Sequence, residues 1–196
     1  DLTATEWQRL QHPTEYQNKM TVVHEGVDTE LVRPKGDATL VVDGITLTRK
    51  DEVITYVARN LEPYRGFHIF MRALPQILKR RPKAHVVIVG GDEVSYGRLP
   101  PKGQTYRRML MKEVGNDLDE TRVHFMGWVQ YDEYLKVLQV SSAHVYLTYP
   151  FVLSWSMLEA MAAECLVIGS KTAPVEEVIK DKENGLLVRS EEHTSE

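Results

Sequence analysis

Residues 53–91 read VITYVARNLEPYRGFHIFMRALPQILKRRPKAHVVIVGG, and the succession of patterns in this stretch decides the fold. Val53 to Arg59 is apolar almost throughout and rich in β-branched and aromatic types, the composition of a buried strand. Phe67, Phe70, Met71, Leu74, Ile77 and Leu78 then recur at helical spacing. Pro75 lies inside that helix, removes one hydrogen bond and predicts a kink. HVVIVGG, residues 85–91, is a second strand without a polar face. A strand that is apolar on both faces needs cover on both, so two of them joined by a helix predict a parallel βαβ unit.

The alternation continues downstream. Residues 104–115 read as helix, VHFMG (123–127) as strand, Tyr131 to Val140 as a short helix and AHVYLTY (143–149) as strand. Ser156 to Ala163 reads as helix, LVIG (166–169) as strand, Pro174 to Ile179 as helix and GLLV (185–188) as a last short strand. The fold class expected is α/β: a Rossmann-like, mostly parallel sheet of about six strands flanked by helices, spanning residues 21–188. Ligands of such sheets bind beyond the carboxyl ends of the strands, which directs attention to the loops after Ala58, Val89, Met126, Thr148 and Gly169. Upstream, Ala38 to Val42 and Ile45 to Thr48 flank Asp43-Gly44, a strong hairpin signal that reads as a decoration without chemistry. Residues 1–20 carry no clear period and read as a connector or the remnant of a preceding domain. The tail RSEEHTSE, residues 189–196, coincides with the conceptual translation of a common sequencing-adapter stretch and is set aside as non-native.

The chain's 196 residues suffice for one domain with a real core. Its net charge of −4 speaks against a nucleic-acid partner, because phosphate binding wants a basic surface. No apolar run approaches the roughly 18 residues a membrane span needs. The single cysteine, Cys165, excludes an intramolecular disulfide and fits a reducing, cytoplasmic compartment; within CLVIG it reads as a buried structural thiol.

Arg59 ends the first strand and Arg65-Gly66 opens the next helix. Two guanidiniums beside a helix N-terminus make a diphosphate site, or else are solvated surface arginines; the strand-end position of Arg59 favours the former. Gly90-Gly91 either lets a ligand approach the backbone or makes a tight turn. The dinucleotide fingerprint G-x-G-x-x-G is absent. Glu159 lies in the first turn of a helix that follows a strand, so it points at the crevice; Ser156-x-x-Glu159 equally has capping-box spacing. Trp128, after Gly127 at a strand end, could stack on a base, although packing is the commoner use of Trp. His85, His124 and His144 fall in separate strands without a partner at ligand spacing, and no metal site is expected.

From about Val22 to Val188 the chain resembles the family 4 retaining glycosyltransferases of GT-B architecture. The resemblance rests on VVHEGVDTELVRP, YVARNLEPYRGF, HVVIVGGDE, VHFMGWVQYDEY, LEAMAAECLVIGS and ENGLLV, which follow in the family's order. It implies the C-terminal, donor-binding half of an enzyme that transfers a sugar from a UDP-, GDP- or ADP-sugar with retention, without metal or cofactor. By that resemblance Arg59 and Arg65 hold the diphosphate and Glu159, the second glutamate of E-x7-E, grips the ribose. The backbone around Trp128 and Val129 meets the base, and Val152, Leu153 and Ser154 meet the donor sugar.

Two departures stand out. The first glutamate of E-x7-E falls on Phe151, and the Gly-x-Gly that follows it in the family is Val152-Leu153-Ser154 here. The donor-sugar pocket is therefore expected to be more apolar than in relatives. The resemblance places the acceptor, a glycan, lipid or small molecule, on a domain outside this sequence, through which any peripheral membrane contact would also run. Transfer by this piece alone is expected to be undetectable. Competing readings are a UDP-sugar 2-epimerase-like enzyme and a non-catalytic nucleotide-sugar-binding module.

Overall fold

The structure, a computed structural model, describes residues 1–189. Its elements in chain order are β1 (Leu2–Thr3), α1 (Glu6–Leu10), α2 (Thr14–Gln17), β2 (Thr21–Val22), β3 (Thr39–Val42), β4 (Ile45–Thr48), β5 (Val53–Asn60), α3 (Phe67–Arg80), β6 (His85–Gly91), α4 (Tyr106–Val114), β7 (Val123–Gly127), α5 (Tyr131–Val140), β8 (Ala143–Tyr146), α6 (Trp155–Ala162), β9 (Leu166–Ser170), α7 (Ala173–Glu176) and β10 (Leu186–Val188). The tail read as non-native lies, beyond Arg189, outside the described residues.

Six strands form one sheet in the order β10-β9-β8-β5-β6-β7, every pair parallel. The chain lays β5, β6 and β7 outward in one direction, then crosses back through α5 to lay β8, β9 and β10 on the other side of β5. The direction of winding reverses between β5 and β8. At such a switch point the connections leave the carboxyl edge to opposite faces and open a crevice. Topology thus places the site before any side chain is considered.

The core follows from the patterns. Val86 to Gly91 of β6 are all buried, as a strand without a polar face requires. On one face of the sheet, Phe67, Phe70, Met71, Leu74 and Leu78 of α3 pack with Tyr56, Val86 and Ile88 and with Leu110 and Val114 of α4. Each large side chain so buried contributes about 1.5–3 kcal/mol. The helix continues through Pro75 to Arg80. On the other face, Leu135 and Leu138 of α5 and Met157 and Ala160 of α6 pack with Tyr146 and Val167.

The hairpin β3–β4 forms where the Asp-Gly pair predicts it, with positive φ at Asp43 (47°) and Gly44 (78°) matching the twist of the flanking strands. It is no mere decoration. Its inner residues Ala38, Leu40, Val42 and Leu47 pack with Val53, Val87, Val89, Val137 and Val140, completing the cover of the sheet. The hairpin turn also brings Asp43 Oδ2 within 2.7 Å of His124 Nδ1, and His124 Nε2 lies 3.1 Å from His85 Nδ1. The histidines that look isolated in the sequence are thus partly paired, because β6 and β7 are neighbours. His144 is fully buried, with Nδ1 2.9 Å from Thr55 Oγ1, and burial pushes its pKa down to about 4.

Residues 1–20 are more structured than their lack of period suggests. β1 pairs with β2, and the free N–H groups of Glu6 and Trp7 at the start of α1 both donate to the Glu177 carboxylate at 2.7 Å. A helix of five residues is too short to show a period; Thr5 Oγ1, accepting the Gln8 N–H, and the carboxylate from just past α7 cap it together.

Candidate functional site

Arg59 leaves the carboxyl end of β5, and Arg65 closes the 3-10 turn Pro63–Arg65 that follows. The next residue, Gly66, has φ 69°, and a Cβ there would stand 2.3 Å from Leu147 Cβ. Only glycine lets the chain turn into α3 this close to the end of β8. The Tyr56 hydroxyl donates to the Arg65 carbonyl at 2.7 Å, and Arg65 Nη1 donates to Thr148 Oγ1 at 3.4 Å. Arg59 and Arg65 line one cavity of about 200 Å³ at the switch point, together with Tyr96, Ser154 and Trp155. The two arginines read from the sequence are therefore brought together.

Arg65 is also framed by rings. Its guanidinium sits 5.4 Å from the Tyr96 ring centre and 5.5 Å from that of Phe151. Tyr64 contacts Tyr96, Tyr149 and Phe151 at centroid distances of 5.7, 5.3 and 5.7 Å. Where the resemblance leads one to expect a carboxylate, this chain has the Phe151 ring, part of an aromatic wall against the guanidinium. Tyr96 is held there by Glu62, whose buried carboxylate accepts the backbone N–H groups of Ser95, Tyr96 and Gly97 at 3.1, 3.2 and 2.9 Å. A buried carboxylate needs such partners, and three N–H groups in succession supply them. Glu62 and Tyr96 went unread in the sequence. Glu62 lies between the two arginines, but its partners are more than 30 residues away.

A second cavity, of about 450 Å³, adjoins the first and shares Val57, Ala58, Arg59, Ser154 and Trp155 with it. Val89, Gly90, Trp128, Val129, Tyr131, Tyr134, Ser156 and Glu159 complete its walls. Trp128 and Trp155 are 67% and 64% exposed, so two large apolar faces stand open at the groove. The capping-box reading of Glu159 is overturned: α6 begins at Trp155 with Ser154 as N-cap, which places Glu159 fifth in the helix rather than in its first turn. Its carboxylate instead accepts the hydroxyls of Tyr131 at 2.7 Å and Tyr134 at 2.5 Å. Burial, and then the Glu159 carboxylate holding its proton, push the Tyr131 phenol up to about 12; the same causes push Tyr134 up further. No side chain caps α6, so its first turn presents backbone N–H groups and the positive end of its dipole beside both cavities.

The remaining sequence candidates divide. The space a side chain would fill at Gly91 is taken by protein atoms: a Cβ there would meet Trp128 Nε1 at 2.3 Å and Asn60 Oδ1 at 2.6 Å. At Gly90 a Cβ would meet the Ala58 carbonyl oxygen at 2.6 Å, although the residue itself lines the larger cavity. Close packing thus accounts for both glycines. Leu153 points into the core with Tyr146 and Met157, and the half-buried Val152 lines neither cavity. Ser154 lines both.

Comparison with known proteins gives a consistent result. The family described as Glycosyl transferases group 1 matches residues 42–195, and the Glycosyl transferase family 4 group matches residues 1–32. A phosphatidyl-myo-inositol mannosyltransferase of Mycolicibacterium smegmatis is 30% identical over 171 residues, covering 85% of this chain and 38% of that protein. A D-inositol 3-phosphate glycosyltransferase of Corynebacterium efficiens is 24% identical over 176 residues, covering 87% of this chain and 39% of that protein. The chain therefore spans less than two fifths of the length of these curated relatives. Among solved structures, the C-terminal domain of the group 1 glycosyl transferase LpcC from Francisella tularensis superposes with a TM-score of 0.66 at 23% identity, over 85% of this chain and 81% of that one. Anabaena HepE in complex with UDP-glucose superposes with a TM-score of 0.72 at 18% identity, over 98% and 50%. These likenesses establish a shared fold.

Proposed function

Because the chain belongs to the Glycosyl transferases group 1 family, we propose that its crevice holds the nucleotide diphosphate-sugar donor of a retaining glycosyl transfer. The observation that carries this reading is the continuity of the two cavities, with Arg59, Ser154 and Trp155 at their junction, Glu159 at one end and Arg65 at the other. The nucleoside occupies the larger cavity, its base near Trp128 and Val129 and its ribose at Glu159. The diphosphate crosses the junction at the N-terminus of α6, and the sugar lies in the smaller cavity toward Tyr96 and Phe151. That HepE was solved with UDP-glucose supports a donor of this class.

Charge builds on the diphosphate as the glycosidic bond breaks. Two guanidiniums and a helix N-terminus already in place stabilise that charge without reorganising. Arg65 is the better oriented of the two, held by Thr148 and the flanking rings, whereas Arg59 is exposed. The acceptor would be met by a further domain, across whose cleft the reacting groups are oriented and water is excluded.

Calorimetry with UDP, GDP and ADP tests the reading. One of them is expected to bind, and Arg59→Ala and Arg65→Ala are each expected to weaken it roughly tenfold or more, the worth of one charged contact. No binding by any of the three, or unchanged affinity in both variants, would overturn it.

A further inference from the structure

Glu159 is nine-tenths buried, and each of its carboxylate oxygens already accepts a phenol. Both phenols come from α5: Tyr131 and Tyr134 stand three residues apart on one face of that helix and converge on a single carboxylate of α6. A buried carboxylate without partners is costly, and two phenols remove that cost without supplying a cation that would neutralise it. A carboxylate offers about four lone-pair directions, two on each oxygen, and accepts only. With one direction on each oxygen taken, one remains on each, and Glu159 lines the larger cavity. That arrangement suits two neighbouring hydroxyl donors.

We propose that Tyr131 and Tyr134 are positioning residues that orient Glu159 to accept both hydroxyls of a ribose, so that the site selects ribonucleotides over their 2′-deoxy counterparts. The inference rests on the placement of the nucleoside in the larger cavity. Tyr134, buried and at 2.5 Å, fixes the carboxylate; Tyr131, 46% exposed at the rim, completes the orientation. Losing Tyr134 frees one carboxylate oxygen to rotate away from the cavity, and the second hydroxyl loses its acceptor.

The experiment compares UDP with 2′-deoxy-UDP by calorimetry, with the GDP and ADP pairs run alongside, on the wild type and on Tyr131→Phe, Tyr134→Phe and Glu159→Gln. The wild type is expected to favour the ribonucleotide roughly tenfold or more, the worth of one hydrogen bond to a charged group. Tyr134→Phe is expected to remove most of that preference and Tyr131→Phe part of it. In the Glu159→Gln background, Tyr134→Phe is expected to change the ratio no further. A merely structural tyrosine would lower both affinities together and leave their ratio alone. If the wild type shows no ribose preference, the placement of the nucleoside at Glu159 fails, and the proposal with it. If the wild type shows the preference and both Phe variants keep it in full, the positioning role alone is refuted. Tyr131→Phe, at a half-exposed site, decides the matter should Tyr134→Phe not fold.

Discussion

Gly66→Ala probes the step that joins Arg65 to the core. The substitution has two separable costs. Gly66 has φ 69°, and a residue with a Cβ in the left-handed region costs roughly 1–2 kcal/mol. The new methyl would also stand 2.3 Å from Leu147 Cβ, far inside ordinary contact. Leu147 is buried in the cluster with Tyr56 and Phe67, so it cannot swing away as an exposed side chain would. Forcing extra volume into such packing costs typically 1–3 kcal/mol. The expected loss is therefore about 2–5 kcal/mol. Gly44 isolates the first cost: its φ is 78°, and a Cβ there meets nothing within 4 Å, so Gly44→Ala is expected to lose only about 1–2 kcal/mol. Urea unfolding of both variants, with unchanged m-values, measures the difference. Displacing Leu147 also disturbs Thr148, the hydrogen-bond partner of Arg65, so Gly66→Ala is expected to weaken nucleotide binding and Gly44→Ala to leave it intact. Equal destabilisation by the two substitutions would refute the claim that close approach dictates glycine at position 66.

Other consequences are open to measurement. Glu62→Gln replaces an acceptor of three backbone N–H groups by an amide; hydrogen exchange at Ser95 to Gly97 is expected to quicken and nucleotide affinity to fall as Tyr96 loosens from Arg65. Unchanged protection there would refute the pinning. The pKa of His144, held near 4 in the fold against 6.5 in the unfolded chain, makes a contribution fully present above pH 6.5 and lost as the pH falls toward 4, about 3 kcal/mol in all. Unfolding curves of wild type and His144→Leu across that window check this, the variant being expected to show a flatter dependence. Phe151→Glu puts a carboxylate beside Arg65, and in a protein that carries its acceptor domain it is expected to alter the ranking of donor sugars; an unchanged ranking would place Phe151 away from the sugar. Residues 1–188 alone are expected to show no sugar transfer, and turnover by this piece would refute the division of donor and acceptor between domains.

What the sequence determined by itself was the set of local periodicities and their order. Strands apolar on both faces, helices with one apolar face and an Asp-Gly turn each reflect a residue's relation to its near neighbours. Together they predicted the parallel sheet, the hairpin, the strand ends where Arg59 and Trp128 stand and the helix start beside Arg65. Boundaries moved slightly: β8 stops at Tyr146 rather than residue 149, and α6 starts one residue early, which was enough to overturn the capping box at Glu159. The tertiary structure alone decided which side chains meet. Glu159 pairs with tyrosines 28 and 25 residues away, Trp128 fills the space at Gly91, and Glu177 caps a helix some 170 residues upstream. Whether the hairpin is ornament or core likewise depends on which face of the sheet it covers. The physical reason is that periodicity records whether a position is buried, which is a local property. The partner of a buried polar group is chosen by the order in which strands join the sheet, and any of several carboxylates or hydroxyls would satisfy the same local pattern.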